Sequence, residues 1–69
     1  MKLSARNVLE GKVKSIVEGS VNDEVVVELP GGQEIVAVVT KSSVESLKLS
    51  KGNDVLAVIK ASSVILAVE

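Results

Sequence analysis

The chain has 69 residues, of which 46% are apolar, and it contains no cysteine, histidine or aromatic residue. Its net charge of −1 argues against a nucleic-acid partner, which would need a basic stripe and, for single strands, aromatic stacking platforms. The missing thiols and imidazoles exclude disulfides, thiolate metal sites and the commonest general base. We therefore expect a single domain over residues 1–69 that is not an enzyme and that gains stability by oligomerising.

Neither a signal peptide nor a membrane segment is predicted. The opening residues "MKLSARNVLEGK" lack an apolar core after the lysine. No apolar run is long enough to span a bilayer. We expect a cytoplasmic protein without a membrane partner.

The first half of the chain reads as three strands. Residues 7–20 alternate and predict a long first strand, with a bulge or bend at Gly11 and a turn at Gly19-Ser20. Residues 21–29 form the second strand and residues 33–40 the third. The "PGG" between them predicts a tight hairpin turn.

The second half changes period. In "SSVESLKL" (42–49), Ser42 and Glu45 have the spacing of a capping box, which predicts one short helix. A fourth strand follows over Val55 to Ile59, and "SVILAV" (63–68) predicts a fifth. Five strands with a helix between the third and fourth are typical of the OB-fold, so we predict an all-β, five-stranded, OB-like Greek-key barrel.

Several predicted strands do not alternate between apolar and polar residues. "EVVVEL", "IVAVV", "VLAVI" and "VILAV" are apolar on both faces. A small barrel buries only one face of each strand, and a large exposed apolar patch usually marks an interface. We expect a homo-oligomer whose subunits cover these strands, with an edge strand pairing across subunits.

Two short clusters are rich in hydrogen-bond donors and contain no carboxylate: "SARN" (4–7) and "KASS" (60–63). Positive charge with hydroxyl and backbone N–H donors is the environment that a bound anion requires. A pocket that only donates suits a fully deprotonated tetrahedral oxyanion and leaves the O–H of a protonated phosphate unpaired. The alternative is that residues 4–7 are an ordinary terminal segment and residues 60–63 an ordinary turn, neither of which binds a ligand. Weaker anion candidates are Thr40 and the backbone donors of Gly19 and Ser20.

The carboxylates carry no recurring ligand spacing, so no direct metal-cation site is predicted. Motifs for nucleophilic catalysis and for phosphate loops are also missing from the sequence. We interpret the acids as solvated surface charge.

The sequence resembles the molbindins, the small molybdenum-pterin-binding or Mop proteins. The resemblance covers nearly the whole chain and rests on the joint occurrence of its motifs, which are "SARN", "GKV", the "GG" turn, "IVAVVT", "SVESL" and "IKASSVILA". It implies an OB-like fold and a homohexamer built as a trimer of dimers. It also implies that molybdate, or tungstate, binds at subunit interfaces for intracellular molybdenum storage or homeostasis.

Carried over motif by motif, the resemblance implies roles for individual residues. Ser4 and Arg6 would donate to the oxyanion, with backbone help near Ala5. Lys60 would supply charge, and Ala61 and Ser62 would supply N–H or hydroxyl donors. The resemblance further implies that Thr40 reaches the site from a neighbouring subunit, and that Gly19 and Ser20 serve a second oxyanion site. One departure is Lys48, where the family often has glycine at the helix exit.

Two alternatives stay open at this point. The first is an oligomeric regulatory module that recruits a protein partner and binds no oxyanion selectively. The second is a nucleic-acid-binding OB domain, which the charge and the missing aromatic residues oppose.

Overall fold

The computed structural model describes all residues 1–69, and its elements follow the predicted order. Four strands and one short helix form: β1 (Asn7–Glu18), β2 (Asn22–Glu28), β3 (Glu34–Thr40), α1 (Lys41–Ser46) and β4 (Asp54–Ile59), followed by a 3₁₀ turn over Ala61–Ser63. The all-β class and the helix between the third and fourth strands are confirmed. The helix is far too short to cross a membrane, and it is the only α-helix of the chain.

The strands form one antiparallel sheet in the order β3-β2-β1-β4. The long first strand pairs with two neighbouring strands. Residues 7–12 pair with β4, and residues from Lys12 onward pair with β2. Because β1 passes from one partner to the other, the sheet curls. The outermost strands β3 and β4 then flank one open, almost wholly apolar groove, which we call the apolar groove.

The core lies inside this curl and is built from valines. Val13, Val25 and Val27 are the buried apolar residues. Partly buried side chains from β1, β3, β4, the helix region and the residue after β2 surround them, namely Ile16, Leu29, Val39, Val44, Leu49 and Val55. So small a buried core is consistent with a chain that needs further burial against a partner.

The "PGG" hairpin is confirmed in detail. The Gly32 N–H donates to the Leu29 carbonyl at 2.9 Å, and the Leu29 N–H donates to the Gln33 carbonyl at 2.8 Å. Pro30 holds the second position of this turn, where its fixed φ fits. Gly32 has a φ of +90°, which glycine adopts without steric cost.

The bulge in β1 lies three residues later than predicted. The register slips between Val13 and Ser15 rather than at Gly11. Gly11 instead permits a close approach of strands, because a Cβ there would lie 2.7 Å from the Glu28 carbonyl oxygen and from a Val27 methyl group. The glycine is therefore needed for packing and not for the bulge.

The helix begins differently from the predicted Ser42–Glu45 capping box, which is not formed. Thr40 is the N-cap, and its Oγ1 accepts the Ser43 N–H at 3.1 Å. The N-cap lies two residues earlier than predicted because the chain leaves β3 directly into the helix, and Thr40 is the hydroxyl residue at that junction.

The predicted fifth strand is the largest departure. Residues 64–69, which we call the C-terminal segment, pair with no strand of the same chain. Ile65, Leu66 and Val68 are 92%, 88% and 98% exposed. The 3₁₀ turn over Ala61–Ser63 separates the segment from β4, and the high exposure of its side chains shows that they are not packed on an apolar surface of the same chain.

Candidate functional site

The start of β1 and the end of β4 create an open cleft at one end of the sheet. Asn7 and Ile59 form the last residue pair of the β1–β4 ladder, and both chain segments leave the sheet just beyond it. The cleft has a volume of about 610 Å³ and is lined by Ser4, Ala5, Arg6, Val58, Lys60, Ala61 and Ser62. We call it the anion cleft, because its lining unites both donor-rich clusters.

The 3₁₀ turn shapes the Lys60 side of the anion cleft. The Ser63 N–H donates to the Lys60 carbonyl at 2.9 Å, and the Val64 N–H donates to the Ala61 carbonyl at 3.2 Å. These two bonds are the ones that close the turn, so the N–H groups of Ala61 and Ser62 stand at its start, outside its bonding ladder. Backbone and hydroxyl donors therefore collect next to the Lys60 ammonium.

The anion cleft carries uncompensated positive charge. The four ion pairs of the chain use Lys12, Lys14 and Lys41, and none involves Arg6 or Lys60. No carboxylate lines the cleft. An anion that entered it would meet two cations and several neutral donors without a repelling charge, which is the arrangement that favours anion binding.

The structure thus brings together six residues predicted from sequence: Ser4, Ala5, Arg6, Lys60, Ala61 and Ser62. Sequence reasoning missed Val58, which supplies an apolar wall. Its signal was the two-residue spacing to Lys60, because residues two apart along a strand lie on the same face. All the lining residues except Ala5, which is half buried, are exposed to solvent in the single chain.

Thr40 does not line the anion cleft. It pairs with Asn22 near the opposite end of β1, while the cleft lies at the Asn7 end. The Thr40 hydroxyl bonds within its own chain, as the cap of α1 and with the side chains of Ser42 and Ser43. Within one chain, Thr40 and the cleft are separate.

Gly19 and Ser20 lie in the turn between β1 and β2, also away from the anion cleft. The Gly19 N–H donates to Asp23 Oδ1 at 3.2 Å. Asp23 is only 3% exposed and accepts a further bond from Lys41 Nζ at 2.9 Å. The Lys41 bond, and then the Gly19 bond, hold the pKa of Asp23 below its usual value against the opposing effect of burial. The predicted second site therefore shares one of its donors with a carboxylate.

Comparisons with known proteins identify the family of the chain. The family model of the TOBE domain matches residues 3–66. A probable molybdenum-pterin-binding protein of Haemophilus influenzae is 46% identical, and the match covers 100% of both chains. Both relations are specific enough to show the family.

Two solved structures are similar over the whole fold. A molybdate-binding protein from Sporomusa ovata superposes with a TM-score of 0.91 at 42% identity, covering 97% of this chain and 98% of that one. The molybdate-bound cytoplasmic protein ModG gives a TM-score of 0.96 at 54% identity, over 100% of this chain and 49% of ModG. These neighbours have an OB-like fold, which confirms the predicted fold class. The chain belongs to the TOBE domain family and, within it, to the molybdenum-pterin-binding (Mop) proteins.

Proposed function

We propose that the anion cleft binds molybdate, or the closely similar tungstate, inside a homo-oligomer. The observation that carries this proposal is the meeting of Arg6 and Lys60, both free of ion pairs, with the donors of Ser4, Ala61 and Ser62 in one carboxylate-free cleft. The protein then acts as a cytoplasmic store or buffer of molybdenum and transforms no substrate. Support comes from the relatives, whose names describe molybdate or molybdenum-pterin binding.

The donor set selects for charge and protonation state. Arginine and lysine have no acceptor atoms, and the backbone N–H groups of Ala61 and Ser62 only donate. A fully deprotonated tetrahedral oxyanion satisfies these donors on every oxygen. Hydrogen phosphate retains an O–H that would need an acceptor, and among the lining side chains only the Ser4 and Ser62 hydroxyls can accept. A hydroxyl that donates to an oxyanion in the molybdate complex would have to reorient to accept this O–H, and leaving the O–H unpaired is costly. We therefore expect molybdate and tungstate to bind more tightly than phosphate.

A second chain is needed to complete the site. The anion cleft is wide open, and its volume of about 610 Å³ exceeds the size of one tetrahedral oxyanion several times. Exposed charges interact weakly because water screens them. Covering by another subunit would dehydrate the anion site, and Thr40, which is outside the cleft of its own chain, would reach it from that subunit.

The means of assembly follow from two incomplete features of the single chain. The apolar groove lies between the unpaired edges of β3 and β4, and 14 of its 15 lining residues are apolar. The C-terminal segment is an apolar strand-length sequence without a partner. We propose that the C-terminal segment of one copy fills the apolar groove of another as the fifth strand. This exchange pairs both open edges and gives the dimers from which a hexamer, a trimer of dimers, is built.

Native mass spectrometry tests the proposal directly. The protein is measured with and without molybdate, with sulfate and phosphate as control anions. We expect a hexamer that gains a defined number of molybdates and no phosphate, whereas sulfate, which also has no O–H, reports whether the site selects by the size of the anion. A hexamer without bound anion would contradict the oxyanion function and favour the recruitment module. A monomer would contradict strand exchange and the interface site together.

Point variants then test the site. Arg6→Ala and Lys60→Ala each remove a charge-assisted hydrogen bond of about 1.5–3 kcal/mol, so we expect molybdate affinity to fall roughly 10- to 100-fold. Lys51→Ala is the matched control, because Lys51 is also exposed and free of ion pairs but lies in the turn before β4. Unchanged affinity in both cleft variants would refute the site assignment.

A further inference from the structure

Asn7 joins the two halves of the anion cleft without lining it. It is the first residue of β1, directly after Arg6, and it pairs with Ile59, the last residue of β4, directly before Lys60. Its side-chain Nδ2 donates to the Ile59 carbonyl at 3.2 Å, across 52 residues of sequence. This bond lies one residue from each of the two charged groups of the cleft.

We propose that Asn7 is a positioning residue, whose side chain holds Arg6 and Lys60 at the spacing at which both bind one oxyanion. This inference rests on the proposed function of the anion cleft. Asn7 touches no ligand in this scheme, because it is not among the residues that line the cleft. It acts by fixing the backbone from which the two cations extend.

The position of the bond in the sheet explains why such a tie is needed. The Asn7–Ile59 pair is the terminal pair of the β1–β4 ladder, and strand ends fray more readily than strand centres. Beyond the pair, residues 4–6 belong to no strand, and Lys60 enters the 3₁₀ turn. The half-buried bond from Asn7 to Ile59 limits fraying at the point where fraying would move the Arg6 and Lys60 side chains apart.

The size of the effect follows from preorganisation. An anion that contacts both halves of the cleft binds more weakly if the halves must first be ordered, because the ordering entropy is lost on binding. One hydrogen bond between the halves has a net value that corresponds to about a fivefold change in an equilibrium constant. We therefore expect Asn7→Ala to weaken molybdate binding about fivefold.

Asn53→Ala is a matched control for general damage. Asn53 is also an asparagine whose side chain ties down backbone, since its Oδ1 accepts the Ser50 N–H at 2.8 Å and the Ser50 hydroxyl at 2.8 Å. It stands in the turn before β4, outside the anion cleft. Its loss should lower the melting temperature and leave molybdate affinity unchanged.

The experiment is a double-mutant cycle read by isothermal titration of the full chain with sodium molybdate. The variants are Asn7→Ala, Arg6→Ala and both together, at one protein concentration and well below the melting temperature. If Asn7 acts through the placement of Arg6, the fivefold effect of Asn7→Ala should largely disappear once Arg6 is alanine. A merely structural role would instead give the same fivefold loss in both backgrounds.

A second variant keeps the test decisive if Asn7→Ala does not fold. Asn7→Asp has nearly the same shape, but its carboxylate cannot donate to the Ile59 carbonyl and brings negative charge close to the cleft. We expect it to bind molybdate more weakly than Asn7→Ala. If the wild-type protein binds molybdate and the Asn7 variants bind it with the same affinity, this inference alone is overturned. Absence of molybdate binding by the wild-type protein would overturn the proposed function and the inference with it.

Discussion

Replacement of Lys48 by glycine should stabilise the protein. Lys48 has a φ of +54° and is the only non-glycine residue of the chain at positive φ. It follows α1 in a Schellman turn: the Leu49 N–H donates to the Val44 carbonyl at 3.0 Å, and the Lys48 N–H donates to the Glu45 carbonyl at 3.1 Å. This turn requires the left-handed conformation at position 48, which glycine adopts most easily.

The magnitude follows from two opposing effects. A non-glycine residue in the left-handed region costs about 1–2 kcal/mol. Glycine loses about 0.5–1 kcal/mol more conformational entropy on folding than alanine does. The difference predicts a net stabilisation by Lys48→Gly of about 0.5–1 kcal/mol. For a domain of this size, the melting temperature should rise by roughly 3–7 °C.

Thermal unfolding followed by circular dichroism measures this shift, at one protein concentration because assembly also raises the melting temperature. Lys48→Ala is the control, since it removes the charge but keeps the Cβ and with it the strain. We expect a higher melting temperature for Lys48→Gly only, with molybdate affinity unchanged, because Lys48 lies outside the anion cleft. Equal stabilisation by both variants would show that the lysine charge, and not the backbone, is responsible, and would refute the reasoning.

Two further predictions concern the buried residues. Val13 is the most buried side chain, at 2% exposure. Val13→Ala removes two carbon atoms from the core, so the free energy of unfolding measured in urea titrations should fall by about 2 kcal/mol. An unchanged free energy of unfolding would contradict its place in the core. Asp23 has a lowered pKa in the folded protein, mainly through its Lys41 bond, so its contribution to stability is complete above its unfolded pKa of about 3.9 and is lost as pH falls toward the folded value. Melting temperatures of Asp23→Asn should therefore fall less between pH 6 and pH 3 than those of wild type, and an equal fall in both proteins would contradict this role of Asp23.

Local patterns of the sequence predicted the fold where local geometry decides it. The "PGG" turn and the first three strands depend on neighbouring residues, and all of them formed where expected. The capping box failed because two hydroxyl residues compete for one helix start, and the one at the strand junction, Thr40, caps it. The bulge failed because Gly11 responds to the approach of β2, a contact between residues 16 or more positions apart.

The site was predictable in composition but not in geometry. Donor-rich residue types identified both halves of the anion cleft, yet nothing local indicates that residues 4–6 and 60–62 meet. Their meeting depends on the pairing of β1 with β4 in a register that ends at Asn7 and Ile59. The same long-range pairing brings Val58 into the cleft and separates Thr40 from it. A single strand pairing thus decides which predicted residues form one site within a chain.

Under the proposed function, the order of residues 60–68 would connect ligand binding with assembly. Donors of the anion cleft occupy Lys60 to Ser62, and the apolar C-terminal segment begins at Val64, two residues later. If that segment enters the apolar groove of a second copy, the 3₁₀ turn over Ala61–Ser63 is ordered in two ways. Its donors contact the anion, and the segment that follows it is bound by the partner chain. If either the anion or the partner chain orders the turn, the other loses less conformational entropy when it binds. Anion binding and assembly therefore strengthen each other. Molybdate should then strengthen assembly of the oligomer, and assembly should strengthen molybdate binding by the same factor. Dilution, which dissociates the oligomer, should therefore weaken molybdate binding. Under the proposed function, this reciprocity would account for one short sequence, "KASSVILAV", containing both the donors of an anion site and an exposed apolar segment.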